Sequence, residues 1–186
     1  MDVDQSAHLA PKEETELMRK LLATLLGIAI IGIASTGHAE EESKVTLQVV
    51  KMPALLKQIE AQKGKVVVID FWGDFCIPCK KEFPNLVRMH HEYAKDGLVC
   101  MSVAVDAAED SANSLKFLQE KKATFGNFLI DEEPEIWQEK WNISAVPAVL
   151  VYGRDGTLAK RFVGDDPKKP FTYKDVEAFI KPLLAK

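Results

Sequence analysis

The chain has 186 residues, 47% of them apolar and 28% charged, the balance of an ordinary globular protein and not of a disordered or fibrous one. Its net charge is only -4, and the basic residues are scattered, which excludes the electrostatic footprint that phosphate backbones require. No nucleic acid is expected as a partner.

Residues 1–17 carry five acids (Asp2, Asp4, Glu13, Glu14, Glu16) against one base, Lys12. Acidic charge ahead of an apolar run opposes export, so this stretch reads as a non-native or mis-assigned extension, with translation beginning at Met18. Residues 18–39 then run from Arg19 and Lys20 through an apolar stretch, Leu21 to Ala34, to the small-x-small sequence Gly37-His38-Ala39. That order is an export signal cleaved after Ala39. The alternative is an uncleaved anchor, with residues 21–36 as a membrane tether, although the run falls short of the ~20 residues that span a bilayer. The folded domain is expected over 40–186, in an exported, extracytoplasmic place.

Within it, Val45 to Val50 is rich in β-branched residues and predicts a first strand, and a helix follows from Pro53 to a stop at Lys63-Gly64. Lys65 to Phe71 is a continuous apolar run of strand length, the pattern of a central strand buried on both faces. Lys80 to Ala94 has helical spacing with a kink due at Pro84, Leu98 to Val105 is a second buried strand, and Ser111 to Lys122 an amphipathic helix. A short strand at Phe128 to Ile130, a helix at Glu133 to Trp141 and a strand at Ala148 to Tyr152 come next. Asp155-Gly156 turns the chain into a last strand, Leu158 to Val163, and a terminal helix runs from Thr172 to Leu184. Alternating strands and helices imply crossovers and parallel pairing, and the closing hairpin implies an antiparallel edge. The fold class is α/β: a mixed central sheet with helices on both faces and a C-terminal β-hairpin followed by a helix.

Cys76-Ile77-Pro78-Cys79 follows the central strand and sits where the next helix begins. A cysteine there faces free backbone N–H groups and the positive end of the helix dipole, both of which favour thiolate over thiol. The thiolate is the nucleophile of disulfide exchange, so Cys76 attacks and the more shielded Cys79 resolves the mixed disulfide. Trp72 and Phe75 flank the pair and offer apolar surface to a partner chain. A zinc site would need two further ligands, and His90 and His91 are adjacent on a helix, pointing about 100° apart. No metal and no cofactor are expected. Cys100, inside the apolar run Leu98 to Val103, reads as a buried free thiol.

The thirteen residues Trp72 to Pro84 (WGDFCIPCKKEFP) resemble the active site of the thioredoxin superfamily, and Lys80-Lys81-Glu82-Phe83-Pro84 is especially similar to its exported TlpA/ResA-type branch. The resemblance covers roughly residues 45–186 and implies a thioredoxin fold. It implies that Pro147, in Ser144-Ala145-Val146-Pro147, is cis and lies against the cysteines, and that the backbone of Val146 and the Cys76-Pro78-Cys79 turn meet the substrate strand. It places Asp70 at a buried carboxylate beneath the pair, where burial raises the pKa into a range useful for deprotonating Cys79, and matches Glu82 to a glutamate near the cysteines. Which of the two is the base stays open. The activity implied is thiol-disulfide exchange on cysteine-containing exported proteins, as a reductant, for example in cytochrome c maturation, recharged by a membrane thiol donor and working as a monomer. An oxidase or isomerase of the same fold, or a binding-only module, are the alternatives.

Overall fold

A computed structural model of the protein describes residues 44–164 and 170–185; the expectations for residues 1–43 lie outside them. The chain runs β1 (Gln48–Val50), α1 (Met52–Glu60), β2 (Val66–Trp72), α2 (Ile77–Tyr93), β3 (Leu98–Ala104), α3 (Ser111–Glu120), β4 (Gly126–Ile130), α4 (Pro134–Trp141), β5 (Ala148–Tyr152), β6 (Leu158–Val163) and α5 (Tyr173–Leu184), with short 3₁₀ turns before β3 and α3. The strands form one sheet in the order β1-β4-β3-β2-β5-β6. β1, β4, β3 and β2 pair in parallel; β2–β5 and the β5–β6 hairpin are antiparallel. This is the expected mixed sheet with its C-terminal hairpin and closing helix.

All seven residues of β2 are buried, because helices cover both faces of the strand. Strand alternation divides them. Val66, Val68 and Trp72 face a layer of α2, α3 and α5, where they meet Phe83, Leu86, Phe117, Val176 and Ile180. Val67, Ile69 and Phe71 face α1 and α4, where they meet Leu55, Ile59, Trp137 and Trp141. Asp70 falls by the same alternation on the α2/α3/α5 face, opposite Ser102 of β3 and Val149 of β5. Asp70 apart, the run has no polar residue to say which face is which.

Among the boundaries that differ from expectation, two do so for a clear local reason. β1 begins at Gln48 and not Val45: the Asn127 side chain donates to the carbonyl of Thr46 at 3.2 Å, so a side chain takes the place of a strand ladder there. α2 begins at Ile77 and not Lys80, because Cys76 itself caps it, and Pro78 sits in the first turn, where its missing N–H costs nothing. The helix continues through Pro84, which lies on the exposed side. At the hairpin Gly156 takes φ +81°, the left-handed conformation that glycine adopts freely, while Asp155 accepts hydrogen bonds from the Thr157 amide and hydroxyl.

Candidate active site

Cys76 and Cys79 are joined as a disulfide with their Cα atoms 5.3 Å apart. Local structure places them: the Cys76 amide donates to the Gly73 carbonyl at 2.9 Å, closing the turn out of β2, and the Cys79 amide donates to the Cys76 Sγ at 3.3 Å. Cys76 thus occupies the N-cap of α2, with a backbone donor and the positive helix end directed at its sulfur. Both sulfur residues are nearly closed off, 5% and 2% exposed, while their neighbours Phe75 and Ile77 are 70% and 77% exposed. The pair therefore sits at the base of an apolar rim.

Beneath the pair lies a cavity of about 200 Å3 whose wall includes Asp70, Pro78, Cys79, Glu82, Pro147 and Tyr173. The structure thereby brings five residues singled out from the sequence into one space with Tyr173, which sequence reasoning passed over. Asp70 is 2% exposed, and burial, which penalises the charged form, pushes its carboxyl up to about 7. The neighbouring Tyr173 pulls slightly the other way, although its hydroxyl stands outside ordinary hydrogen-bond geometry. Glu82 is half-buried at the cavity wall and accepts from Asn85 at 3.2 Å. Cys100 is fully buried and unbonded, its thiol held in the neutral form by burial first and by Asp70 second.

The Val146–Pro147 peptide bond is cis. Pro147 lines the cavity, and its carbonyl accepts from the Gly164 amide at 2.9 Å. A Cβ at position 164 would stand 3.0 Å from the proline ring and 3.1 Å from that carbonyl, so the β6 end approaches this loop closely enough that a larger residue would need its neighbours to shift. Val146 is half-buried, and among the described residues its backbone enters no hydrogen bond of a turn or loop.

Trp72 corrects the expectation that it contributes docking surface. It is fully buried, edge to face with Phe83 at 5.5 Å and tilted against Phe117 at 4.8 Å, because alternation along β2 turns it into the α2/α3 layer. The exposed apolar neighbours of the pair are Phe75 and Ile77. Trp137 and Trp141 pack on Phe71 on the opposite face, as plain core residues. Sequence reading also missed Asp106, just past β3: its carboxylate accepts from the Asp74 amide and from the Ser114 hydroxyl, each at 2.8 Å, tying the turn before Cys76 to α3. Asp74 in turn pairs with Lys80 at 2.9 Å.

Sequence comparison agrees with this geometry. HelX of Rhodobacter capsulatus, a thiol:disulfide interchange protein, is 27% identical over 146 residues, 78% of this chain and 76% of its own length. ResA of Geobacillus thermodenitrificans, a thiol-disulfide oxidoreductase, is 24% identical over 165 residues, 85% of this chain and 92% of its own. The crystal structure of a thiol:disulfide interchange protein from Chlorobium tepidum TLS shares the fold, with a TM-score of 0.54 at 19% identity over 67% of this chain and 83% of that one. Residues 64–158 match the thioredoxin-like family, a stretch running from the start of β2 to the start of β6 that includes both the cysteine pair and the cis proline. On that stretch the chain belongs to the thioredoxin-like family of thiol-disulfide oxidoreductases.

Proposed function

We propose that the protein reduces disulfides in exported, cysteine-containing proteins, with Cys76 as the attacking and Cys79 as the resolving group. The observation that carries this reading is the bonded pair capping α2 above a cavity that it shares with a buried carboxyl of pKa about 7. In the reduced state the Cys76 thiolate attacks one sulfur of the substrate disulfide; that S–S bond breaks, the other sulfur leaves as a thiolate, and a mixed disulfide forms. Cys79 then loses its proton to Asp70 and attacks the Cys76 sulfur. The second substrate sulfur leaves as a thiolate, the Cys76–Cys79 disulfide is restored, and the substrate, two electrons richer, becomes a dithiol by taking one proton back from Asp70 and one from water. A carboxyl with a pKa near the working pH suits such a transfer, since it is available both as a base and as a returned acid. Glu82 is the second carboxylate of the cavity, and the Val146–Pro147 backbone and the Phe75–Ile77 rim receive the substrate strand.

Reduction, for instance of a disulfide in apocytochrome c to its two thiols, follows from the resemblance of Lys80 to Pro84 to the TlpA/ResA-type branch. A membrane thiol donor then recharges the pair, and the charge order of residues 18–39 supports export, by a cleaved signal or with 21–36 as a tether. Insulin reduction by dithiothreitol tests the exchange: Cys76→Ser is expected to abolish catalysis, and Cys79→Ser to trap mixed disulfides visible by mass spectrometry. Equilibration of the pair against a dithiothreitol series tests direction. A reduction potential near that of thioredoxin, about -270 mV, supports the reductant, whereas one near DsbA, about -120 mV, contradicts it.

A further inference from the structure

Tyr173 is a polar group of the cavity to which the exchange chemistry above gives no task. It opens α5 and is 3% exposed, and its hydroxyl is shut off from solvent with no hydrogen-bond partner among the described residues. A phenylalanine would fill the same space without burying a donor, so the hydroxyl is a cost that packing does not explain. The group nearest to it in electrostatic effect is Asp70 of β2, followed by Cys100 of β3 and Glu82 of α2, while Lys81 of α2 also lines the cavity. α5 is held in place from the same side: Glu177, one turn after Tyr173, accepts from Arg88 and Tyr93 of α2.

We propose that Tyr173 is a positioning residue for Asp70: its hydroxyl donates to the Asp70 carboxylate once that group ionises, and so sets the pH at which Asp70 can take the proton of Cys79. The inference rests on the reading of Asp70 as proton acceptor. The phenol keeps its own proton throughout, since burial first and Asp70 second raise its pKa well above the ordinary value. It therefore accepts from the neutral carboxyl and donates to the charged one, and donation to charge is the stronger interaction. The hydroxyl opposes the effect of burial on Asp70, holding the carboxyl somewhat below where burial alone would put it.

Tyr173→Phe removes the hydroxyl and keeps the ring. The test follows the carbon-13 signal of the Asp70 carboxyl through a pH titration of the oxidised protein, which needs no turnover. The Asp70 midpoint is expected to rise by about 0.5–1 unit, a roughly three- to tenfold change in its protonation equilibrium, and the acidic limb of the pH–rate profile to move with it. A midpoint that stays where it is in the parent overturns the proposal. Should Tyr173→Phe not fold, Asp70→Asn with labelled tyrosine gives the reciprocal test: the Tyr173 phenol midpoint falls toward the ordinary range if the two groups interact, and an unchanged midpoint overturns the inference. A parent protein without exchange activity would instead overturn the functional reading, and the carboxyl titration would still decide the role of Tyr173.

Discussion

The two faces of the one sheet are built from the same strands and have different work. The face toward α1 and α4 is closed by Met52, Leu55, Ile69, Phe71, Val103, Trp137 and Leu150, and among the described residues no buried polar side chain lies with them. The face toward α2, α3 and α5 carries the buried polar side chains of the strands, Asp70, Ser102 and Asn127, and the cysteines above them. Those polar residues divide again. Asn127 accepts from the Ser102 hydroxyl at 2.8 Å and donates to the carbonyls of Ala123 and Phe125, so the pair is satisfied and serves to hold β3, β4 and the loop before it. None of the hydrogen bonds of ordinary geometry among the described side chains goes to Asp70, and it opens on the cavity. Ser102 and Asn127 thus serve the architecture of the sheet, whereas Asp70, beside the cysteine pair, is left facing the cavity, the setting in which perturbed acids gather.

That contrast can be broken by pH. The folded Asp70 titrates at about 7, against 3.8 for the ordinary group, so the folded state binds its proton more tightly than the unfolded state. Its contribution to stability is complete below the unfolded value and is lost as pH rises through the window from about 4 to about 7. The whole shift is worth roughly 4 kcal/mol, so Asp70→Asn should match the parent near pH 4 and exceed it by up to that amount at pH 8 in urea denaturation. A mutant no more stable at pH 8 than at pH 4, relative to the parent, contradicts the raised carboxyl.

On the apolar face the expectation reverses. Leu150→Ala, at a fully buried position, should cost about 3 kcal/mol at every pH and leave the pH dependence of exchange as it is. A change in the profile would mean that the two faces are coupled. The smallest effect is expected at the α2–α5 clasp. The hydrogen bonds from Tyr93 and then Arg88 hold the Glu177 carboxyl down at about 2, so its contribution is present above 4.5 and lost as pH falls toward 2. The group lies near the surface, where solvent screens such pairs, so Glu177→Gln should cost less than about 1 kcal/mol at pH 7 and nothing near pH 2 in thermal melts.

Much of this was legible in the sequence, and what was not has a physical reason. The apolar run of β2 and the cysteine pair at a helix start carry local signals, Asp70, Glu82 and Pro147 were pointed to by the resemblance of the surrounding motifs, and the structure sets Cys79, Asp70, Glu82 and Pro147 around one cavity. Tyr173 carries none, because it reaches Asp70 across more than a hundred residues of chain and only the packing of α5 brings it there. Asp106 carries none either, since its two partners, Asp74 and Ser114, lie on either side of it in sequence and meet only when β3 is in place. Trp72 was misplaced because a strand buried on both faces shows no alternation by which to orient it.

The central claim is that the pair works over Asp70 as its proton acceptor. The pH–rate profile of disulfide exchange, measured side by side for the parent and Asp70→Asn, tests it most directly. The account predicts a rise through an inflection near pH 7 in the parent that is absent in the variant, with a rate loss of about 100-fold or more above that pH. Superimposable profiles would contradict it.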